Sequence, residues 1–287
     1  MEVIDCFDVE IKKRVSVVND YIRTYFSSLE IPASSAIAEL SSSMYYSASA
    51  GGKRFRPVLC LLVGDLFHCE AKKILPFATA VELVHTYSLV HDDLPCMDND
   101  DIRRGKPTNH VMYSETTALL AGDALLTEAF LLIAEGYKEN STLAATLCGM
   151  LSRAAGLRGM VGGQAIDLKA KNLSFEDLIQ LHNLKTGRLI QVAIEGAAVV
   201  AGASRDKVND MVEFGTNLGL AFQVADDILD HAEKNQESKS FVSLIGIEGT
   251  KRYLDEVSAK AFAALERTEG SSDLLKQMIE YNKNRKI

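Results

Sequence analysis

Apolar residues recur at intervals of three and four along most of the chain. Ile11, Val15, Val18, Ile22 and Tyr25 predict one amphipathic helix, and Leu178, Leu181, Leu184, Ile190 and Ile194 predict another. The second opens behind a Ser174 cap with Asp177 three residues further on. Alternating strand patterns are rare. Breaks are expected near Pro32, Gly51, Pro95 to Pro107, Asn140, Asn172, Gly202 and Gly270. With five prolines and no tryptophan in 287 residues, the pattern reads as an all-α helical bundle, organised as one domain over 1–287. The longest apolar stretch, Ala118 to Ala134, is interrupted by Asp123 and Glu128 and is read as falling short of a membrane span.

Two acid-rich blocks break this apolar background. One runs His91-Asp92-Asp93-Leu94-Pro95-Cys96-Met97-Asp98-Asn99-Asp100-Asp101, and the other runs Gln223-Val224-Ala225-Asp226-Asp227-Ile228-Leu229-Asp230. Two carboxylates about 4 Å apart repel by roughly 4 kcal/mol at an effective dielectric near 20, so each block calls for a cation. Oxygen donors with no His or Cys at ligand spacing favour a hard ion such as Mg2+, which keeps waters and takes phosphate oxygens as further ligands. Asp226 and Asp230 are four residues apart and share a helix face, while Asp227 lies on its flank.

Basic residues suggest what the metal would hold. Gly51-Gly52-Lys53-Arg54-Phe55-Arg56-Pro57 sets a permissive backbone beside three cations, with Pro57 at an expected first helical position. The spacing is not that of a nucleotide P-loop. Arg103-Arg104-Gly105-Lys106 follows the first acidic block directly, and Lys185-Thr186-Gly187-Arg188 adds a third cluster. Guanidinium groups suit bidentate phosphate binding, so the set points to more than one diphosphate.

A net charge of −8, with basic residues confined to short clusters, argues against nucleic acid as a partner. Five widely spaced cysteines, with no Cys-x-x-Cys pair, read as reduced thiols of a cytoplasmic protein. The acidic start lacks the basic-then-apolar order of a secretory signal, and no stable membrane insertion is expected.

The order of these motifs resembles the short-chain trans-isoprenyl diphosphate synthases, most closely their bacterial farnesyl type, from about Lys53 to the C-terminus. The resemblance rests on Asp92-Asp93 with Asp98 followed by Arg103-Arg104, on Asp226-Asp227-Ile228-Leu229-Asp230, on Gly51 to Pro57, and on Gly163-Gln164-Ala165-Ile166-Asp167-Leu168. It implies the isoprenoid-synthase bundle around a deep central cavity, a homodimer, and condensation of isopentenyl diphosphate with dimethylallyl or geranyl diphosphate. It further implies three Mg2+ ions, with Mn2+ as a substitute, on Asp92, Asp93, Asp98, Asp226, Asp227 and Asp230. Lys53, Arg56, His85 and Arg104 would grip isopentenyl diphosphate, and Arg103, Lys185, Thr186, Gln223 and Lys239 the allylic diphosphate. Asp92, Asp93, Asp98, Arg103, Lys185 and Asp226 are the expected catalytic set. No motif residue is a dedicated base, and the departing diphosphate would accept the proton.

Tyr87 and Ser88 lie five and four residues before Asp92, placing Tyr87 about 7.5 Å along the helix axis from the metal ligand. The family resemblance implies that an aromatic residue there blocks the tunnel and favours a fifteen-carbon product, while small Ser88 leaves some room, with geranyl or geranylgeranyl diphosphate as the alternatives. The segment His231 to Ser240 is compressed relative to the family, which leaves open whether Lys234 or Lys239 supplies the loop lysine. The basic tail Lys283-Asn284-Arg285-Lys286 is open to two readings, folding over the diphosphates or a disordered free terminus, the second being the commoner behaviour of chain ends. A class I terpene cyclase would replace the second block with an Asn/Ser/Glu triad, and Asn209-Asp210 lacks that continuation. A non-catalytic partner subunit would lose an acidic block. A di-iron bundle built on Glu82 and His85 would need a second Glu-x-x-His, which is missing.

Overall fold

A computed structural model describes residues 2–232, 239–268, 270 and 272–285, side chains from residue 7 onward and not that of Ala232. Thirteen α-helices account for almost all of it, with only a two-residue antiparallel pair, β1 (Ile102–Arg103) and β2 (Lys106–Pro107). The all-α expectation holds. The chain divides into two compact units: residues 1–61 with 71–148, and residues 62–70 with 149–287.

The first unit holds α1 (Glu2–Ser28), α2 (Ser35–Ala48), the first part of α3 (Phe55–Leu66), α4 (Ala71–Asp92), α5 (Asn109–Met112), α6 (Glu115–Gly136) and the start of α7 (Ser141–Ala155). Its centre is α4, which is buried on nearly every side, from Ile74 to Val90, as expected of a helix with no polar face. Pro76 interrupts its early turns, and the hydroxyl of Tyr137 repairs the backbone: it donates to Lys73 O at 2.8 Å and accepts from the Phe77 N–H at 3.3 Å. Helix α6 packs on α4 through Ala118, Ala121, Gly122, Leu125, Ala129, Leu132 and Ile133, a stripe of mostly small residues that allows close approach. By length and composition α6 does reach what a bilayer crossing requires, because its 22 residues outlast the apolar stretch and tolerate Asp123 and Glu128. The expectation that it falls short is corrected; its small-residue face is spent on α4.

The second unit holds the remainder of α3 and α7, then α8 (Met160–Lys169), α9 (Phe175–His182), a π-helical turn (Asn183–Gly187), α10 (Arg188–Val200), α11 (Arg205–Ala232), α12 (Phe241–Glu266) and α13 (Asp273–Lys283). Helix α11 is its axis and packs against both α10 and α12. Leu178, Leu181, Leu220, Val224, Phe241 and Val257 form one apolar cluster. Ser174 and Asp177 close a reciprocal capping box at the start of α9, as the sequence predicts. The predicted Leu178-to-Ile194 helix is instead interrupted by the π turn, which carries Lys185 and Thr186.

Candidate active site

In the first unit the acidic block begins at the C-terminal end of α4. Helix carbonyls already make that end negative, so Asp92 and Asp93 sit where carboxylates are least welcome and a cation is most needed. The chain then turns through short backbone bonds, Leu94 N–H to His91 O and Asp98 N–H to Asp92 O at 2.8 Å, and passes Asn99 in the left-handed region at φ 56°. The result separates the aspartates. Asp93 is buried, while Asp98 and Asp100 face solvent. Burial pushes the Asp93 carboxyl up, and Arg103 opposes that shift through a 2.6 Å contact to Oδ1. Arg103 also reaches Asp100 at 3.4 Å.

Arg104, at φ 53°, points away from Arg103 and toward the glycine signature. Its guanidinium donates to Gly51 O at 2.5 Å. A Cβ on Gly52 would stand 2.5 Å from the guanidinium carbon, and Gly52 itself has φ +102°, so only glycine accommodates this approach. His85 lies about two turns before Asp92 on α4. Burial first, and then the charges of Arg56, Arg104, Arg103 and Arg54, hold it well below the usual imidazole range, so it is neutral near pH 7. Of these four arginines, Arg103 is engaged by Asp93 and Arg54 by Glu82, so Arg56 and Arg104 are the cations left nearest His85 for an anion.

Arg54 corrects the sequence reading, which grouped it with the anion-facing cations. Its side chain is buried and spent inside the unit, donating to Asn19 Oδ1 at 2.9 Å, Glu82 Oε1 at 2.8 Å and Ala48 O at 2.6 Å. Engaging Glu82 in this way also disposes of the di-iron alternative. Lys53 and Arg56 flank it, Lys53 being exposed.

The loop bearing both arginines is anchored from behind by Asn109, which sequence reasoning missed. This buried amide donates to Ser43 O at 3.0 Å and Ser47 Oγ at 2.8 Å and accepts from Ser43 Oγ at 2.8 Å. Tyr46 adds a hydroxyl bond to Pro107 O at 2.8 Å. A cavity of about 40 Å3 remains between these groups, Asp93 and the two arginines.

Tyr87 is buried on α4, its hydroxyl pushed up to about 12 by burial and by Asp92. Its ring meets His91 edge to face at 5.8 Å, and Nε2 of His91 is 3.0 Å from Leu119 O. A Cβ on Gly122 would fall 2.0 Å from that nitrogen. Ser88 lies beside Tyr87, its hydroxyl donating to His85 O at 2.9 Å.

In the second unit the acidic block is helical. Asp226 keeps 30% of its side chain exposed, whereas Asp227 is buried. Asp227 accepts the Phe241 N–H at 2.7 Å, which fixes the start of α12, and Gln223 Nε2 at 3.3 Å; Gln223 in turn accepts from Thr186 at 3.2 Å. Lys185 projects from the π turn to Asp167 Oδ2 at 2.5 Å, and Lys239 reaches the same carboxylate at 3.3 Å and its backbone carbonyl. Although burial works to raise it, these two ammonium groups hold Asp167 below the usual carboxylate range. Gly163 makes the contact possible, since its Cβ would lie 2.3 Å from Lys185 N. Asp167, the one carboxylate of the Gly163-to-Leu168 motif, carries no predicted role, and its presence in that motif was the available signal. Lys234 lies outside the described residues.

Among the described residues no three His, Cys, Asp or Glu side chains converge as a ready metal cage. The donor chemistry nevertheless fits a hard divalent ion: carboxylates predominate in both blocks, at helix C-terminal ends, His91 is turned to Leu119 O and Tyr87, and one carboxylate of each block already carries a protein cation, Arg103 on Asp93 and Arg285 on Asp226.

The family pattern described as polyprenyl synthetase matches residues 37–286. The chain is 39% identical over 285 residues to the farnesyl diphosphate synthase of Micrococcus luteus, covering 94% of this chain and 98% of that protein. It is 40% identical to a chloroplastic geranylgeranyl pyrophosphate synthase of Catharanthus roseus over 76% of this chain and 66% of that protein. A geranyltransferase structure from Legionella pneumophila superposes with a TM-score of 0.89 at 31% identity, covering 98% of both chains.

Proposed function

Because the chain belongs to the polyprenyl synthetase family, we propose that it is a trans-prenyltransferase that condenses isopentenyl diphosphate with an allylic diphosphate, mainly to farnesyl diphosphate. The observation that carries this reading is Arg104 seated against Gly52, beside a buried His85 that burial and the neighbouring arginine charges hold below the usual imidazole range. An anion with several oxygens, such as a diphosphate, offsets that concentration of positive charge.

On this reading Lys53, Arg56, His85 and Arg104 bind isopentenyl diphosphate, and Arg103, Lys185, Thr186, Gln223 and Lys239 bind the allylic diphosphate. Asp92, Asp93, Asp98, Asp226, Asp227 and Asp230 would hold magnesium, three ions in all, with manganese as a substitute. Bound there, the metal neutralises the diphosphate leaving group. The allylic C–O bond breaks, the double bond of isopentenyl diphosphate attacks the resulting cation, and one C–C bond forms. A proton then leaves to the released diphosphate. Held by Arg56 and Arg104, the nucleophile is presented without the entropy cost of a free encounter. Lys185 and Lys239, clasped by Asp167, are oriented in advance.

Tyr87, fixed against His91, sets a floor that suits fifteen carbons. We further assign a cytoplasmic homodimer, and the exposed Leu119, Leu120 and Leu131 of α6 supply an apolar face for a second copy. The test is incubation with isopentenyl diphosphate, dimethylallyl diphosphate and Mg2+, followed by chromatography by chain length. Diphosphate release that needs both substrates, with a C15 main product, is expected; release from one substrate alone would refute condensation. Tyr87→Ala is expected to shift the product to longer chains, and an unchanged C15 profile would remove Tyr87 from that role.

A further inference from the structure

The placement of the tail residue Arg285 is left unexplained by the assigned chemistry. Helix α13 brings the tail back onto its own unit, with Lys283 Nζ 2.9 Å from Asp255. Two residues later Arg285 turns inward, and its side chain is only 5% exposed. One terminal nitrogen lies 2.8 Å from Asp226 Oδ1 and donates to Phe222 O at 3.0 Å, while the guanidinium carbon stands 4.2 Å over the Phe222 ring. Phe222 and Asp226 are one helical turn apart, so a single edge of α11 supplies a carbonyl, a carboxylate and an aromatic face. Exposed terminal arginines contribute little and are rarely held so. Burial with three simultaneous partners marks a built contact.

We propose that Arg285 is the resident counter-cation of Asp226 and is displaced when that carboxylate takes up a divalent ion, which makes the C-terminal segment a metal-released latch. The inference rests on the assignment of Asp226 as a metal ligand. A metal at the roughly 2.1 Å of a magnesium–carboxylate bond leaves Oδ1 poorly able to keep a guanidinium beside it. Two cations about 4 Å apart repel by several kcal/mol at a dielectric near 20. Linkage then requires that Arg285 weaken metal binding by the same factor by which metal weakens the latch.

The experiment titrates Mn2+, with inorganic diphosphate present, into the full chain and into Arg285→Gln and Arg285→Lys, following Mn2+ by electron paramagnetic resonance. Amide hydrogen exchange of residues 279–285 is measured alongside. Arg285→Gln is expected to bind Mn2+ about fivefold more tightly or better, the lower range of ordinary coupling. Arg285→Lys should return toward the parent affinity, which a packing role alone would not produce. In the parent protein, Mn2+ should accelerate exchange in the tail. Unchanged affinity in Arg285→Gln, or tail exchange insensitive to Mn2+, overturns the latch. Asp226→Asn separates the two ideas: if it retains full Mn2+ binding, the ligand assignment itself fails, whereas loss of binding there with no effect of Arg285→Gln defeats the latch alone.

Discussion

The two acidic blocks look alike as sequence and are built by different means. The first is a loop: turns at Leu94 to Asn99 scatter Asp92, Asp93 and Asp98 over different depths, and a separate segment returns Arg103 to Asp93. The second is a stretch of helix in which the 3.6-residue period alone divides half-buried Asp226 from buried Asp227. A loop lets the carboxylates be aimed one by one, at the cost of a supporting network around Asn109. A helix aims them rigidly but commits one of the three to structure, since Asp227 holds the first turn of α12.

If both constructions serve the same ion chemistry, Asp92→Ala and Asp226→Ala should each lower kcat/KM by about 10²- to 10³-fold, roughly 3–4 kcal/mol, under steady-state assay. A loss confined to one block would break the comparison. Stability should separate them. Asp227→Ala is expected to cost about 1–3 kcal/mol in urea unfolding because the Phe241 N–H and Gln223 lose a buried acceptor, while Asp98→Ala, on the exposed loop, should change it little.

Gly52→Ala tests the loop side. Its φ of +102° and the 2.5 Å approach of the Arg104 guanidinium predict strain of about 1–2 kcal/mol and a raised KM for isopentenyl diphosphate, with kcat less affected. The last effect concerns acid and is spread over a pH window. His182 packs on Phe241 at 5.3 Å between centroids; burial holds it down at about 4, with Asp167 pulling it up and Lys185 pushing it down. A histidine depressed in the folded state binds fewer protons folded than unfolded, so its contribution is intact above about pH 6.5 and is lost as pH falls toward 4. The slope is about 1.4 kcal/mol per pH unit at most. Thermal melts across that window should steepen accordingly, and His182→Gln should flatten the dependence.

Much of this was legible in the sequence for a definite reason: periodic burial and capping are local. The α1 stripe through Val18 and Ile22 and the Ser174–Asp177 box needed no partner to be read. Contacts at long range were not legible. The end of α3 is made by His68 in the left-handed region at φ 55°, a place glycine usually marks, so no break was foreseen there. Arg54 and Arg103 are both arginines in basic clusters, and only tertiary contacts show that one is spent on Glu82 and the other sits on Asp93. Asp167 and Asn109 matter through Lys185, Lys239, Ser43 and Ser47, partners that lie 18 to 72 residues away.

The bare backbone of Gly122 against His91 also bears on engineering. Since the imidazole fills the volume where a methyl group would sit, 2.0 Å away, any side chain introduced at 122 must displace the ring that packs edge to face on Tyr87. If Tyr87 sets prenyl length, libraries aimed at altering it therefore have a handle on α6, one that reaches the tyrosine through His91 without mutating the helix that bears the aspartates.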